Sequence, residues 1–468
     1  MGKILDNFCG YVNVGDNTYT CNVSKNIVTL LPAYSNQTER YAAFDRVQSC
    51  DIAAQEFLYG TTDNTYIAIM CRNNFHTDLF GLNPSARFAT PLIVKAAGNA
   101  SGYFDKLTEE WDKFHAITFK GGNINAIFNP EVAVEPLNPE ELLSADGVHT
   151  IKSRPWSDYT RTVDVEIYGE KATLTLSVSH AGAKHDAAHM GAYSLGELNS
   201  FIRFSFEKDQ GLDKIERYYR IVRSLVAVLT MQNNVTFELY LSQRNSEGQF
   251  IKSAICKVFD HYENYSAKQW HRVIPICRIF NCLPNFLEKI ECNGVSALLA
   301  VLPDDNRTAN LISITNVQDM CTALEVAYSW SKRHKQKDAL IEELKKTIGS
   351  TIDEFMKTHG EIDVHKETTI LSAFRYLDFT LVQRIYTLYQ ENSEFIDSIT
   401  AKHSLPRLDL DNISAFVKLR NKRTHRGTAD WGDNAQIYDP LFALLYACFL
   451  TSIGLPDDIV KAICQNIF

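Results

Sequence analysis

Two side chains near the C-terminus have the types and the spacing for chemistry on a phosphodiester. Arg420 and His425 stand five positions apart in Leu419-Arg420-Asn421-Lys422-Arg423-Thr424-His425-Arg426-Gly427, with Asn421 directly after the arginine. A histidine takes or gives a proton near neutral pH. A guanidinium grips a phosphate with a planar fork of donors. Together they could move the proton of a ribose 2′-hydroxyl and hold the charge that develops around phosphorus, which is what metal-free RNA cleavage needs. Five Lys/Arg and no Asp/Glu fall between 418 and 426, in a chain of formal net charge -9. Lys418, Lys422, Arg423 and Arg426 are therefore candidate contacts to an RNA backbone.

The element that must position this pair is a helix. Ile413, Phe416, Val417 and Arg420 follow i, i+3, i+4, i+7, which places Arg420 on the apolar stripe of a helix expected over about 411–424. A charge on a buried or partner-facing stripe is costly unless it is paired. The plain alternative is an arginine that snorkels or bonds the helix C-terminus. Further helices are expected at about 315–333, 336–358, 367–378, 380–400, 438–453 and 456–466. On the first of them Glu325 falls at the edge of the Val317, Met320, Cys321, Leu324, Tyr328 stripe. It reads either as a surface carboxylate or as an orienting partner for Arg420.

Arg420-Asn421-x3-His425 resembles the R-polar-x3-H signature of HEPN domains, many of which are RNases. The segment from Ile413 to Gly427, followed by a loop and Tyr438 to Leu445, resembles the last helices of such a domain. Ala323 to Tyr328 resembles its first helix, where an acidic or polar residue often faces the motif arginine. A long β-rich N-terminal half before a C-terminal HEPN domain is similar to the layout of ApeA-type proteins of bacterial phage defence. The resemblance implies an abortive-infection endoribonuclease with Arg420, Asn421 and His425 as catalytic residues and Glu325 in support. It also implies RNA as substrate (tRNA among the candidates), a homodimer or larger homo-oligomer through the bundle, a phage-derived trigger, and no metal or other cofactor. The alternatives are a catalytically silent HEPN bundle used for binding, or a β domain that senses a ligand with the helices as output scaffold.

The expected fold class is α+β and multidomain. Residues 1–275 read as a β-rich sensing or regulatory region, sheet- or sandwich-like with a covering helix, 276–310 as a helical linker, and 311–468 as an all-α bundle. Strand patterns include Tyr11–Val14, Ile27–Leu31, Thr65–Cys71, Phe201–Phe206 and Val235–Leu241. Thr162–Tyr168 and Ala172–Val178 alternate with period two around Gly169-Glu170-Lys171, so they read as a hairpin with its turn on those three residues. Asp213 to Met231 alternates in the helical manner.

Composition sets the outer bounds. At 468 residues, 45% hydrophobic and 22% charged, the chain can hold two to four domains. Its acidic balance argues against coating nucleic acid broadly. The eleven cysteines include no C-x-x-C pair, which fits free thiols in a reducing cytoplasm. The N-terminus shows no apolar secretion signal, and Leu441–Leu455, between Pro440 and Pro456, is too short to span a bilayer. His180, His185 and His189 form H-x4-H-x3-H with Asp186 beside them; His185 and His189 would share a face and could hold a metal if the stretch were helical, but the Ala/Gly-rich context reads as a mobile or partner-binding loop. Ser331–Lys337 is either an RNA-touching basic run or a solvated turn, and Trp156 and Trp431 either stack on a base or pack. Walker A, G-x-S-x-G, strand-linked G-x-G-x-x-G and H-E-x-x-H patterns are absent.

Overall fold

A computed structural model describes residues 5–14, 17–32, 56–62, 65–72, 76–78, 85–96, 111–135, 153–180, 184–186, 192–194, 197–260, 272–305, 308, 312–331, 339–359, 379–426 and 436–468. They form two compact units: Met1–Thr230 with Asn234–Lys268, and Met231–Asn233 with Gln269–Phe468. The segment 276–310 falls in the second.

The first unit is built on antiparallel strands. They are β1 (Asn7–Val14), β2 (Asn17–Ser24), β3 (Ile27–Pro32), β4 (Phe57–Thr62), β5 (Thr65–Met70), β6 (His76–Asp78), β7 (Ser85–Ala89) and β8 (Leu92–Ala96), then β9 (Lys113–Lys120), β10 (Arg161–Ile167), β11 (Glu170–His180), β12 (Lys184–Asp186), β13 (Ala192–Ser194), β14 (Leu198–Gly211), β15 (Glu238–Arg244) and β16 (Phe250–Val258). Among the described residues fourteen of them hydrogen-bond into one sheet, in the order β10-β11-β14-β9-β15-β16-β8-β5-β4-β1-β2-β3-β7-β6. The sequence allowed for two packed sheets; the β16–β8 ladder, Ala254↔Ala96 to Val258↔Leu92, joins the halves instead.

Alternation explains how the sheet finds its cores. In β1 and β2 every second residue is buried, and Val12, Tyr19, Cys21 and Val23 pack with Val28, Leu30, Leu58, Ile67, Ile69 and Phe88 from β3, β4, β5 and β7. The expected covering helix is present as α1 (Ile215–Thr230). Its Tyr218 lies against Phe206 (ring centroids 4.8 Å), Phe114 and Phe204, so it closes the face made by β9 and β14. The β10–β11 hairpin is tighter than its sequence suggested. Ile167 pairs with Glu170, so the turn is the two residues Tyr168 and Gly169, with φ of 51° and 78°. Two positive φ values match the right-handed twist of the strands, and Glu170 and Lys171 already belong to β11.

The second unit is helical: α2 (Leu283–Glu291), α3 (Ser296–Val301), α4 (Ile314–Tyr328), α5 (Ala339–His359), α6 (Leu381–Lys402), α7 (Leu410–Arg426), α8 (Tyr438–Ser452) and α9 (Asp457–Ile467). The helix expected over 367–378 lies outside the described residues. Capping boxes start α4 at Ser313/Asn316 and α6 at Thr380/Gln383, each satisfying amides that an open helix end leaves bare. Leu441 to Leu450 of α8 are buried on every side, which makes it the central helix. No helix among the described residues is long and apolar enough to cross a membrane.

Candidate functional site

Helices α4, α6 and α7 pack against one another in pairs, and α8 packs on α4 and α6. The basic motif lies on α7. Its stripe is buried as the spacing predicts, with Ile413, Phe416 and Val417 inside and Lys418 exposed. Arg420, one turn after Phe416, is half-buried. The backbone stays helical through Arg426, two residues past the expected end. Positions 417, 421 and 425 therefore form one i, i+4, i+8 row, and position 420 lies about 100° around the axis from 421. The side chains of Asn421, Lys422, Arg423, His425 and Arg426 lie outside the described residues.

Glu325 stands one turn after Cys321 on α4. Its Oε1 accepts a hydrogen bond from Nη1 of Arg384 at 2.8 Å. Arg384, on α6, was not singled out in the sequence. Its guanidinium also lies 5.7 Å from the ring centroid of Tyr328, the next turn of α4. A signal existed: Leu381, Arg384 and Leu388 follow i, i+3, i+7, the pattern that marked Arg420.

Arg420 reaches the same place electrostatically. Burial pushes the Cys321 thiol up to about 12, while the Arg420 charge pulls it down and the Glu325 charge pushes it up. The α4–α6–α7 seam thus carries Arg420, Arg384 and Glu325, and of these Arg420 and Glu325 act on the buried Cys321 thiol. A half-buried guanidinium such as that of Arg420 has the donor geometry to grip an anion such as phosphate. Earlier on α4, burial raises the Asp319 carboxyl, and burial, then Asp439 and Asp319, raise the Tyr438 hydroxyl at the start of α8.

The remaining candidates are scattered. Lys184-His185-Asp186 is strand β12, paired with β13 through His185↔Tyr193, so the helical spacing that a His185/His189 metal site needs is not adopted there; His189 lies outside the described residues. Among the described residues no group of three or more His, Cys, Asp or Glu is gathered for a metal. Trp156 is half-exposed but stacked on Phe201 at 6.2 Å and edge-on to Tyr159 at 5.6 Å. Trp431 and residues 332–337 lie outside the described residues. No family model, curated protein or solved structure matches this chain.

Proposed function

We propose that this chain is a metal-independent endoribonuclease of the HEPN type, with its chemistry on α7 and its control in the β unit, acting in phage defence. The observation that carries the reading is Arg420. It occupies a half-buried position on the apolar stripe of α7, its charge acts on the buried Cys321 thiol of α4, and its helix continues unbroken through Arg426.

In this reading the 2′-oxygen of a ribose attacks the adjacent phosphorus and the bond to the 5′-oxygen of the next nucleotide breaks. The products are a 2′,3′-cyclic phosphate and a 5′-hydroxyl. His425 takes the 2′-hydroxyl proton or protonates the leaving oxygen, a contribution of about 10²–10⁴-fold. Arg420 stabilises the equatorial oxygens as charge builds on them. Asn421, one turn before His425, hydrogen-bonds the phosphate or steadies the imidazole. Glu325, through Arg384, sets the charge of the seam on which Arg420 sits. Lys418, exposed on the same helix, and the basic positions 422, 423 and 426 draw in the RNA backbone. Requiring the 2′-hydroxyl makes DNA inert. Two copies facing through α7 would bring two such motifs together at one composite site.

Expression in bacteria tests the reading. The wild type should arrest growth and leave new RNA ends carrying 5′-hydroxyls, and His425→Ala should be harmless at equal protein level. Equal toxicity with unchanged RNA ends in both would defeat it.

A further inference from the structure

The first unit carries a cleft that the ribonuclease reading does not use. It encloses about 360 Å³. Strand register builds its walls: Thr61 of β4 lies opposite Tyr66 of β5, and Tyr59, two residues before Thr61, is on the same face. Tyr66 stacks on Trp111 with centroids 5.8 Å apart, and Tyr59 meets the same indole edge-on at 5.9 Å. Trp111 is buried, whereas Tyr59 and Tyr66 are 41% and 39% exposed. Gly60 between them is demanded by close approach, because a Cβ there would stand 1.9 Å from the Tyr11 carbonyl oxygen of β1.

The rim is acidic. The Tyr59 hydroxyl donates to Asp112 Oδ2 at 3.4 Å. Glu56 and Asp213 line the adjoining cleft, which shares Tyr59 and Asp112 with this one, and burial and these three carboxylates push the Tyr59 hydroxyl up, to about 12. Among the described residues none of the three is in an ion pair. Lys113, which lines the adjoining cleft, points its ammonium to Asp209 at 3.6 Å.

Ring faces are negative, and carboxylates beside them add full charges, so such a cleft attracts cations and repels phosphate. Flat walls favour a flat cation, which a guanidinium is. We propose that this cleft takes an arginine side chain from a basic segment of a protein partner. The inference does not rest on the ribonuclease reading; if both hold, it gives the β unit a partner of stated chemistry.

Calorimetric titration of the full-length protein with tetra-arginine peptide tests it. The wild type should bind, and Asp112→Asn should weaken binding by about tenfold, the loss of one charge-assisted contact. Tyr66→Leu, which keeps the carboxylate and removes a wall, should also weaken it. Glu247→Gln, an exposed carboxylate in the β15–β16 turn, should leave it unchanged. Equal weakening by Asp112→Asn and Glu247→Gln would trace the attraction to net charge and overturn the proposal. So would binding of a neutral disaccharide with none of tetra-arginine.

Discussion

Replacing Glu325 by alanine removes the carboxylate bonded to Arg384 between α4 and α6. A fully exposed pair contributes about 0–1 kcal/mol. Stranding a fully buried charge costs about 3–5 kcal/mol. This pair lies between: the Arg384 side chain is 18% exposed and that of Glu325 is 38%. A cost of about 2 kcal/mol follows. The helical unit, Met231–Asn233 with Gln269–Phe468, is of a size at which each kcal/mol moves the melting temperature by about 2–4 °C. Thermal unfolding of the full-length protein at 222 nm should therefore show the helical transition about 4–8 °C lower. Arg384→Met should cost less than about 1 kcal/mol, because Glu325 is exposed enough to be hydrated and the methionine keeps the packing on Tyr328. In the double variant the Glu325 change should add little, giving a coupling of about 1 kcal/mol or more. A Glu325→Ala transition at the wild-type temperature, or two losses that simply add, would refute the seam as described.

Three further outcomes are expected. At pH 8, iodoacetamide should label the exposed Cys9, Cys277 and Cys292 of the native protein and spare the buried Cys21, Cys256, Cys321, Cys448 and Cys464. Burial raises these five thiols, Cys321 and Cys21 to about 12, so the folded chain keeps protons that the unfolded chain loses near the ordinary value of 9.0. Their contribution to stability is whole below about pH 9 and falls as pH rises above it, which chemical unfolding at pH 8 and pH 10 measures. Multi-angle light scattering should give a homodimer or larger assembly of the 53.0 kDa chain, disrupted by charge reversal at exposed Lys418; an active monomer at every concentration would overturn the composite site.

Periodicity carried most of the helical unit. Helices expected at 380–400, 438–453 and 456–466 are found within two residues of those bounds, because apolar residues at helical spacing have a single face to bury. Strand existence was legible for the same reason, but sheet order was not. Neighbours such as β16 and β8 lie far apart in sequence, and alternation says which face is buried, not which strand lies alongside. The β10–β11 turn was misplaced because Tyr168 adopts a positive φ that its side chain disfavours, and tertiary pairing prevailed. At the site, the position of Arg420 on a buried stripe was readable. Arg384 as the partner of Glu325 was not, since a one-helix pattern cannot say which of several arginines a carboxylate meets.

The most direct test of the central claim is cleavage of a defined RNA by the purified full-length protein in EDTA. The account predicts 5′ fragments ending in a 2′,3′-cyclic phosphate for the wild type and no cleavage by His425→Ala, with folded circular dichroism retained. Arg420→Lys should be nearly inactive, because an ammonium lacks the bidentate fork. Wild-type rates from His425→Ala, or wild-type cleavage that stops in chelator and returns with Mg²⁺, would contradict it.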